Sequence, residues 1–279
     1  MKKIIIKNGL ALLVVSTVLL TSCYKKFDPK SYQPAFTVNG YTSVAEIGGG
    51  SLVGYWAFNG SYIDSVSNTA GTNKGTGFTT GFKGQALQGA MNGYVLSAPS
   101  NAIKNMQSFT VTEWVNTPPP STGIIDIFTL SNTQTFWGNI EIFFENGSSN
   151  SNGKIRVHIY KDGGDHTYSL DGVPNLFNTW VNLAVTYDAT SSLVTVYVNG
   201  SKVGSGSVAG VSGPLSFVNV GNIVFGTPQF QTSPSQTSGA SSQGWASFLT
   251  GQIDEVRVYN KALTALDLQA MIVLQGKGK

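Results

Sequence analysis

Hydrophobic and polar positions along the chain resolve into short runs rich in β-branched and aromatic residues, separated by turn signals. The runs are Ser51 to Phe58, Phe109 to Val115, Ile140 to Glu145, Lys154 to Tyr160, Trp180 to Tyr187, Leu193 to Val198 and Gln252 to Tyr259. Runs of this length and spacing predict the strands of a sandwich or barrel. The alternation is sharpest in Leu193 to Val198, where Val194, Val196 and Val198 share one face and Leu193, Thr195 and Tyr197 the other. Asn199-Gly200 follows, the residue pair that a two-residue hairpin turn favours. One helix is expected, at the C-terminus, capped by Thr264 and carrying Leu266, Leu268, Met271, Ile272 and Leu274 as a short apolar stripe before Gly276. Gln229 to Gln243, rich in Ser, Thr, Gln and Gly, predicts a long loop, and such a loop on a rigid scaffold suits binding.

The first residues follow a different pattern. Lys2, Lys3 and Lys7 precede an apolar run from Leu10 to Leu20, the charge and hydrophobicity order of a secretory leader. The run is too short for a spanning helix, which needs roughly 20 apolar residues. Leu20-Thr21-Ser22-Cys23 looks like a bacterial lipobox, and Cys23 is the only cysteine of the chain. The expected organisation is a leader over 1–22, a lipidated Cys23 with a flexible tether through residue 50, and one domain over 51–279. The Gly48-Gly49-Gly50 run and Pro29 and Pro34 suit a tether. The expected location is the cell envelope, lipid-anchored at the outer membrane.

Composition narrows the function. Taking Lys2, Lys3 and Lys7 from the 17 basic residues leaves 14, which matches the 14 acidic ones. A balanced mature chain has no basic stripe of the kind that phosphate backbones require, so nucleic acid is excluded as an expected partner. Only 11% of residues are charged while 33 are glycine, which suits turn-rich β structure.

The segments SLVGYWAFNGSYIDS, GFKGQALQG, SFTVTEWV, TWVNLAVTYDATSSLVTVYVNGSKV and GQIDEVRVYNKALTALDL together resemble the laminin G-like, concanavalin A-like domains of bacterial surface proteins, in that family's order. The resemblance implies an all-β fold, a two-sheet antiparallel jelly-roll sandwich with one short C-terminal helix, in which the first and last strands lie side by side. It also implies binding of glycan or of a surface protein, and assigns Trp56, Trp114 and Trp180 to the core. Many relatives hold a structural calcium, which the resemblance places at Asn59, Asp64 and Asp254, with Asn59 standing where the family commonly has an Asp. The alternative is that Asp64 and Asp254 simply cap turns.

Trp137 and Trp245 fall outside every family motif, in polar loops. Exposed indoles can stack on the C–H face of a sugar ring, with Phe136, Asn139, Tyr168 and Gln243 as neighbours; in the alternative each folds back over a sheet edge. On the hairpin from Ile140 to Tyr160, alternation puts Glu141, Glu145, Arg156, His158 and Tyr160 on a polar face, which is either a glycan-binding surface or a solvated face with cross-strand ion pairs. Laminarinase-type hydrolases of this fold use paired carboxylates, and a retaining pair needs its carboxyl groups about 5–5.5 Å apart. Glu141 and Glu145 are four apart, roughly 13 Å at about 3.3 Å per residue, and Phe143 stands where relatives carry an Asp. The expectation is a non-catalytic module, with a structural or assembly subunit as the alternative reading and a diverged glycoside hydrolase as the third. His166, beside Asp165, reads as a turn residue, and Glu113 is expected to pair with Arg257.

Overall fold

A computed structural model of the chain describes residues 35–279, so the leader and Cys23 lie outside the described residues. Its strands are β1 (Leu52–Trp56), β2 (Thr72–Lys74), β3 (Gly77–Thr80), β4 (Gln85–Gln88), β5 (Tyr94–Ser97), β6 (Phe109–Asn116), β7 (Ile125–Asn132), β8 (Ile140–Phe144), β9 (Gly153–Lys161), β10 (Gly164–Val173), β11 (Val181–Asp188), β12 (Leu193–Val198), β13 (Ser201–Ser207), β14 (Val220–Phe225) and β15 (Gln252–Tyr259). Two helices accompany them, a single turn α1 (Asn101–Lys104) and the C-terminal α2 (Ala265–Gly276).

The strands form two antiparallel layers. One layer runs β13-β12-β11-β6-β15-β4-β3, with β1 also pairing β15, and the other runs β10-β9-β8-β7-β14-β5-β2. The β1–β15 ladder joins the two ends of the domain, Leu52 opposite Tyr259 and Trp56 opposite Val256, as the jelly-roll resemblance implies. Between the layers the inward residues of both sheets interdigitate, among them Trp56, Phe58, Phe109, Phe128, Phe144 and Phe225. Trp56 also donates its indole N–H to Ser97 Oγ at 3.0 Å, so its one polar atom is satisfied in the core. Asn199 and Gly200 both take positive φ, 49° and 74°, which matches the tight turn expected between β12 and β13.

Two of the family-position tryptophans differ from expectation. Trp114 is buried, but on the outer face of its sheet: it stacks on Phe82 and donates to Gln275 Oε1 of α2 at 2.8 Å. Trp180, just before β11, is only half-buried.

The expected Glu113–Arg257 pair does not form. Arg257 sits opposite Thr112 in the β6–β15 ladder, and Glu113, one residue on, points to the other face because successive side chains alternate. Arg257 instead meets Glu255 at 2.9 Å and lies over the ring of Tyr55. Glu113 is 1% exposed, on the same face as Phe109, Val111 and Val115 in the central core, and its Oε2 has no hydrogen-bond partner. Burial pushes its carboxyl up to about 8.

The helix α2 begins as the sequence predicts. Thr264 accepts from the Asp267 amide and Asp267 accepts from that of Thr264, a reciprocal cap. Its apolar face, with Leu268, Met271 and Leu274, packs with Ala184, Tyr197 and Tyr259 on the outer face of the β11–β6–β15 layer. Val44 and Ile47 join the same cluster, Val38 and Tyr41 pack against it, and Tyr41 donates to Asp267 at 2.7 Å. The compact unit therefore starts at Thr37, and the tether expected to run to residue 50 has its last part docked on α2. Among the described residues, no helix is long and apolar enough to cross a membrane.

Candidate functional site

The site grows from the alternation of β8 and β9. Ile140, Ile142 and Phe144 of β8 and Ile155, Val157 and Ile159 of β9 face the central core. Glu141, Phe143, Arg156, His158 and Tyr160 must then face outward, because the side-chain period of a strand is two. Over this outer face folds the loop that the sequence places at Gln229 to Gln243, together with the segment that carries Trp245.

Side-chain amides fasten this cover, with Gln229 fully buried and Gln231 half-buried. Gln229 accepts from the Asn132 amide at 2.8 Å and donates to the carbonyls of Thr135 and Phe136 at 2.9 and 3.0 Å. Gln231 donates to the carbonyls of Gln243 and Ala246, and Ile124 and Ala246 form a parallel bridge beside Trp245. Phe230, fully buried, is pressed onto the sheet with Phe143, Ile124 and Ala246.

The two loop tryptophans meet in this cover. Trp137 stacks parallel on Phe143, and Phe136 lies near-parallel to Trp245 with centroids 5.9 Å apart and planes 19° apart. Trp137 and Trp245 are themselves 5.9 Å apart. Trp245 stands 45% exposed, while Trp137 and Phe136 are half-buried. The cluster is thus a graded stack, with Phe230 and Phe143 sealed at the bottom and one indole face open to water.

Beneath Trp137 lies a buried polar layer. Its ring is 5.1 Å from His158, whose Nδ1 lies 3.0 Å from Thr167 and whose Nε2 lies 3.2 Å from Asp165. Glu141 sits between Thr129 and His158 in the ladders, fully buried, and neither of its oxygens has a hydrogen-bond partner. Burial and then the neighbouring Asp126 push its carboxyl well above the usual range; the amides of Gly138 and Gln229 pull the other way without reaching hydrogen-bond geometry. Burial also raises Asp126, against a hydrogen bond from Thr129.

Sequence reasoning weighed Glu141 against Glu145, but the carboxyl whose charge bears on Glu141 is Asp126 on the neighbouring strand β7. Glu145 pairs with Arg156 at 3.3 Å, and Arg156 also reaches Asp171 at 2.6 Å. This edge of the polar face therefore follows the ion-pair alternative, leaving Arg156 engaged.

Three other expectations are corrected. Tyr168 lies opposite Val157, so it faces inward and packs against the central core near Gly204 and Gly206, away from Trp137. Asn139 is fully buried, and its amide is spent on the Ser131 and Val218 carbonyls and the Val218 N–H. His166 lies within β10 rather than in a turn. Gln243 remains at the rim, its Nε2 donating to Ser241. Phe143 and Phe230 were missed as parts of the stack. Phe143 was legible from its place opposite the apolar face of β8, whereas Phe230 lies in a loop with no periodicity to assign it.

The positions proposed for calcium are separated in role. Asp64 accepts from the amides of Tyr55 and Val66 and from Ser67 Oγ, so it caps its own turn. Asn59 accepts from Gln85 N and Asp254 Oδ2 from Lys83 N, holding the β3–β4 turn from two sides. Asp254 Oδ1 is buried without a partner, and burial raises this carboxyl to about 7. Calcium takes six to eight oxygens, and no group of three or more His, Cys, Asp or Glu among the described residues could hold a metal. Of the three side chains, Asn59 and Asp254 converge on the β3–β4 turn, and Asp254 Oδ1 is the one buried oxygen left without a partner.

A groove of ≈ 490 Å³ lies elsewhere, on the outer face of the other layer, where Thr186, Asp188, Thr195, Tyr197 and Lys261 line it. It shares no residue with the aromatic stack, and size alone gives it no chemistry.

Two antiparallel layers closed by their own termini, with a loop-covered aromatic patch on one outer face, define a lectin-like jelly roll. The chain belongs to the concanavalin A-like lectin/glucanases superfamily, of the laminin G type, whose family model matches residues 88–269. No curated protein matches it. Among solved structures it is similar to the binding domain of Paraclostridial mosquitocidal protein 1, at 14% identity and TM-score 0.57 over 80% of this chain and 52% of that one. It is similar to the binding domain of botulinum neurotoxin serotype D, at 14% identity and TM-score 0.58 over 81% and 52%. The chain thus spans about half the length of these two structures. Domain 4 of AbnA, a GH43 extracellular arabinanase from Geobacillus stearothermophilus, aligns at 18% identity and TM-score 0.55 over 80% of this chain and 98% of that domain. At these identities the likeness shows the fold alone.

Proposed function

We propose that this chain is a non-catalytic envelope lipoprotein that binds glycan through the Trp245 face. The observation that carries the reading is the exposed indole of Trp245, held near-parallel to Phe136 on a cover fastened by the side-chain amides of Gln229 and Gln231. A ligand-stacking surface needs this combination of an open ring and a fixed backbone, since ordering a mobile loop would cost affinity. The arabinanase domain of similar fold was solved in complex with arabinotriose, which supports sugar binding as the class. Supporting a non-catalytic role, Asp126 and Glu141 are both fully buried, where a glycosidic bond has no access. A structural or assembly role is the second reading. It is favoured by Leu266 and Val273, seven apart on α2 and 58% and 43% exposed.

Two experiments test the proposal. Retention on immobilised polysaccharides is expected for the chain and lost in Trp245→Ala; retention unaffected by the change would reject the site. Labelling with a fatty-acid analogue is expected to mark the protein and to be abolished by Cys23→Ser, and an unlabelled membrane-free protein would reject the anchor.

A further inference from the structure

The cover that holds Trp245 carries no ionisable side chain. No Asp, Glu, Lys, Arg or His lies between Lys202 and Asp254, which includes the whole loop and the Trp245 segment. On the facing segment, from Lys104 to Glu145, the charged residues are Glu113, Asp126 and Glu141, and all three are buried. The residues leading into the open indole offer hydroxyl, amide and glycine, with Ser241, Ser242 and Gly244 exposed and Gln243 at the rim.

The ionisable groups nearest the cover are already committed or of the wrong sign for an anion. Lys74 reaches the loop, but its ammonium donates to the Ser233 carbonyl at 2.9 Å and lies 5.5 Å from the ring of Tyr94. Arg156 is held between Glu145 and Asp171. Asp165, on the Trp137 side, is a carboxylate bound to His158. A carboxylated, sulfated or sialylated sugar would surrender hydration at this face and find no guanidinium or ammonium to replace it.

We infer that the ligand class of the Trp245 face is an uncharged oligosaccharide, one that the indole takes by its C–H face and the surrounding amides and hydroxyls by its hydroxyl groups. The inference rests on the glycan-binding reading and narrows it. Binding by stacking and neutral hydrogen bonds is nearly independent of ionic strength, because no counter-charge is there to be screened.

The test uses the full chain and its Trp245→Ala variant in affinity electrophoresis through gels containing either a neutral polysaccharide (arabinan, xylan, mannan or β-glucan) or an acidic one (polygalacturonate or hyaluronan). Each gel is run in about 20 mM and about 500 mM salt, concentrations that bracket strong and weak screening. The expected result is retardation in at least one neutral gel, reduced at least tenfold in affinity by Trp245→Ala and changed less than twofold by salt. Trp245-dependent retardation in acidic gels alone, lost at high salt, would overturn the uncharged-ligand inference and leave glycan binding standing. Retardation in none of the gels, or retardation indifferent to Trp245→Ala, would overturn the glycan-binding reading itself.

Discussion

Trp137 and Phe143 lie with ring planes 1° apart and centroids 5.6 Å apart, so a loop indole is seated flat on a side chain that the sheet itself projects outward. That stack couples the exposed chemistry of the loop to the register of β8. A one-residue slip of β8 would bury Glu141 in the central core and remove the platform under Trp137.

Phe230 and Trp245 belong to the same cluster but should separate stability from binding. Phe230 is fully buried and Trp245 is 45% exposed. Phe230→Ala is expected to cost about 3–5 kcal/mol in urea unfolding, the usual range for a large aromatic removed from a packed site. Trp245→Ala should stay within about 1 kcal/mol of the parent while losing retention. Equal destabilisation by both would mean that Trp245 serves packing.

Stability should fall as pH rises from about 5 to 8. Glu113, raised to about 8, and Asp254, raised to about 7, both keep their protons in the folded state at pH values where the unfolded chain has released them. The advantage of the folded state is complete below the unfolded values of about 4 and is lost as pH climbs through the raised ones, with a slope of up to about 1.4 kcal/mol per unit for each proton. Glu113→Gln keeps the shape, removes one titration and should flatten the upper part of the curve. A urea midpoint that rises between pH 5 and 8 would contradict the assignment.

Glu255 faces three partners. It accepts from Tyr55 at 2.7 Å, from Arg257 at 2.9 Å and from Gln275 of α2 at 3.2 Å, and its φ of 53° places it at an irregularity of β15. Glu255→Ala would leave Arg257 buried without its counter-charge, and a loss of about 3–5 kcal/mol is expected. A loss below about 1 kcal/mol would show that solvent reaches Arg257 readily.

If Asn59, Asp64 and Asp254 take no calcium, the melting temperature should stay within about one degree when the ion is added, because only a ligand that binds the native state adds a linkage term. Differential scanning fluorimetry with millimolar calcium and with chelator checks this. A rise that Asp254→Asn abolishes would instead place the ion at Asp254, whose Oδ1 is the unpartnered oxygen of the three positions.

The layers of the fold were readable because strand alternation is a local property. All seven runs expected from the pattern are strands, and the Thr264 cap and the Asn199-Gly200 turn stand where their chemistry requires. Alternation failed where a partner had to be chosen across strands. Glu113 was matched to Arg257 without the β6–β15 register, which puts Arg257 opposite Thr112, and Asp126 was overlooked because nothing near it in sequence points to Glu141. In the site, Trp137 and Trp245 were found by elimination from the core motifs. Tyr168 and Asn139 were misjudged because sequence proximity to a loop does not tell which way a side chain turns or which carbonyls claim it.

The docking of Val38, Tyr41, Val44 and Ile47 beside α2 fixes where the chain enters the folded unit, on the layer whose back is turned to the indole patch. The two outer faces of the sandwich are thereby divided, one taken up by the chain's entry and α2, the other left to the aromatic cover.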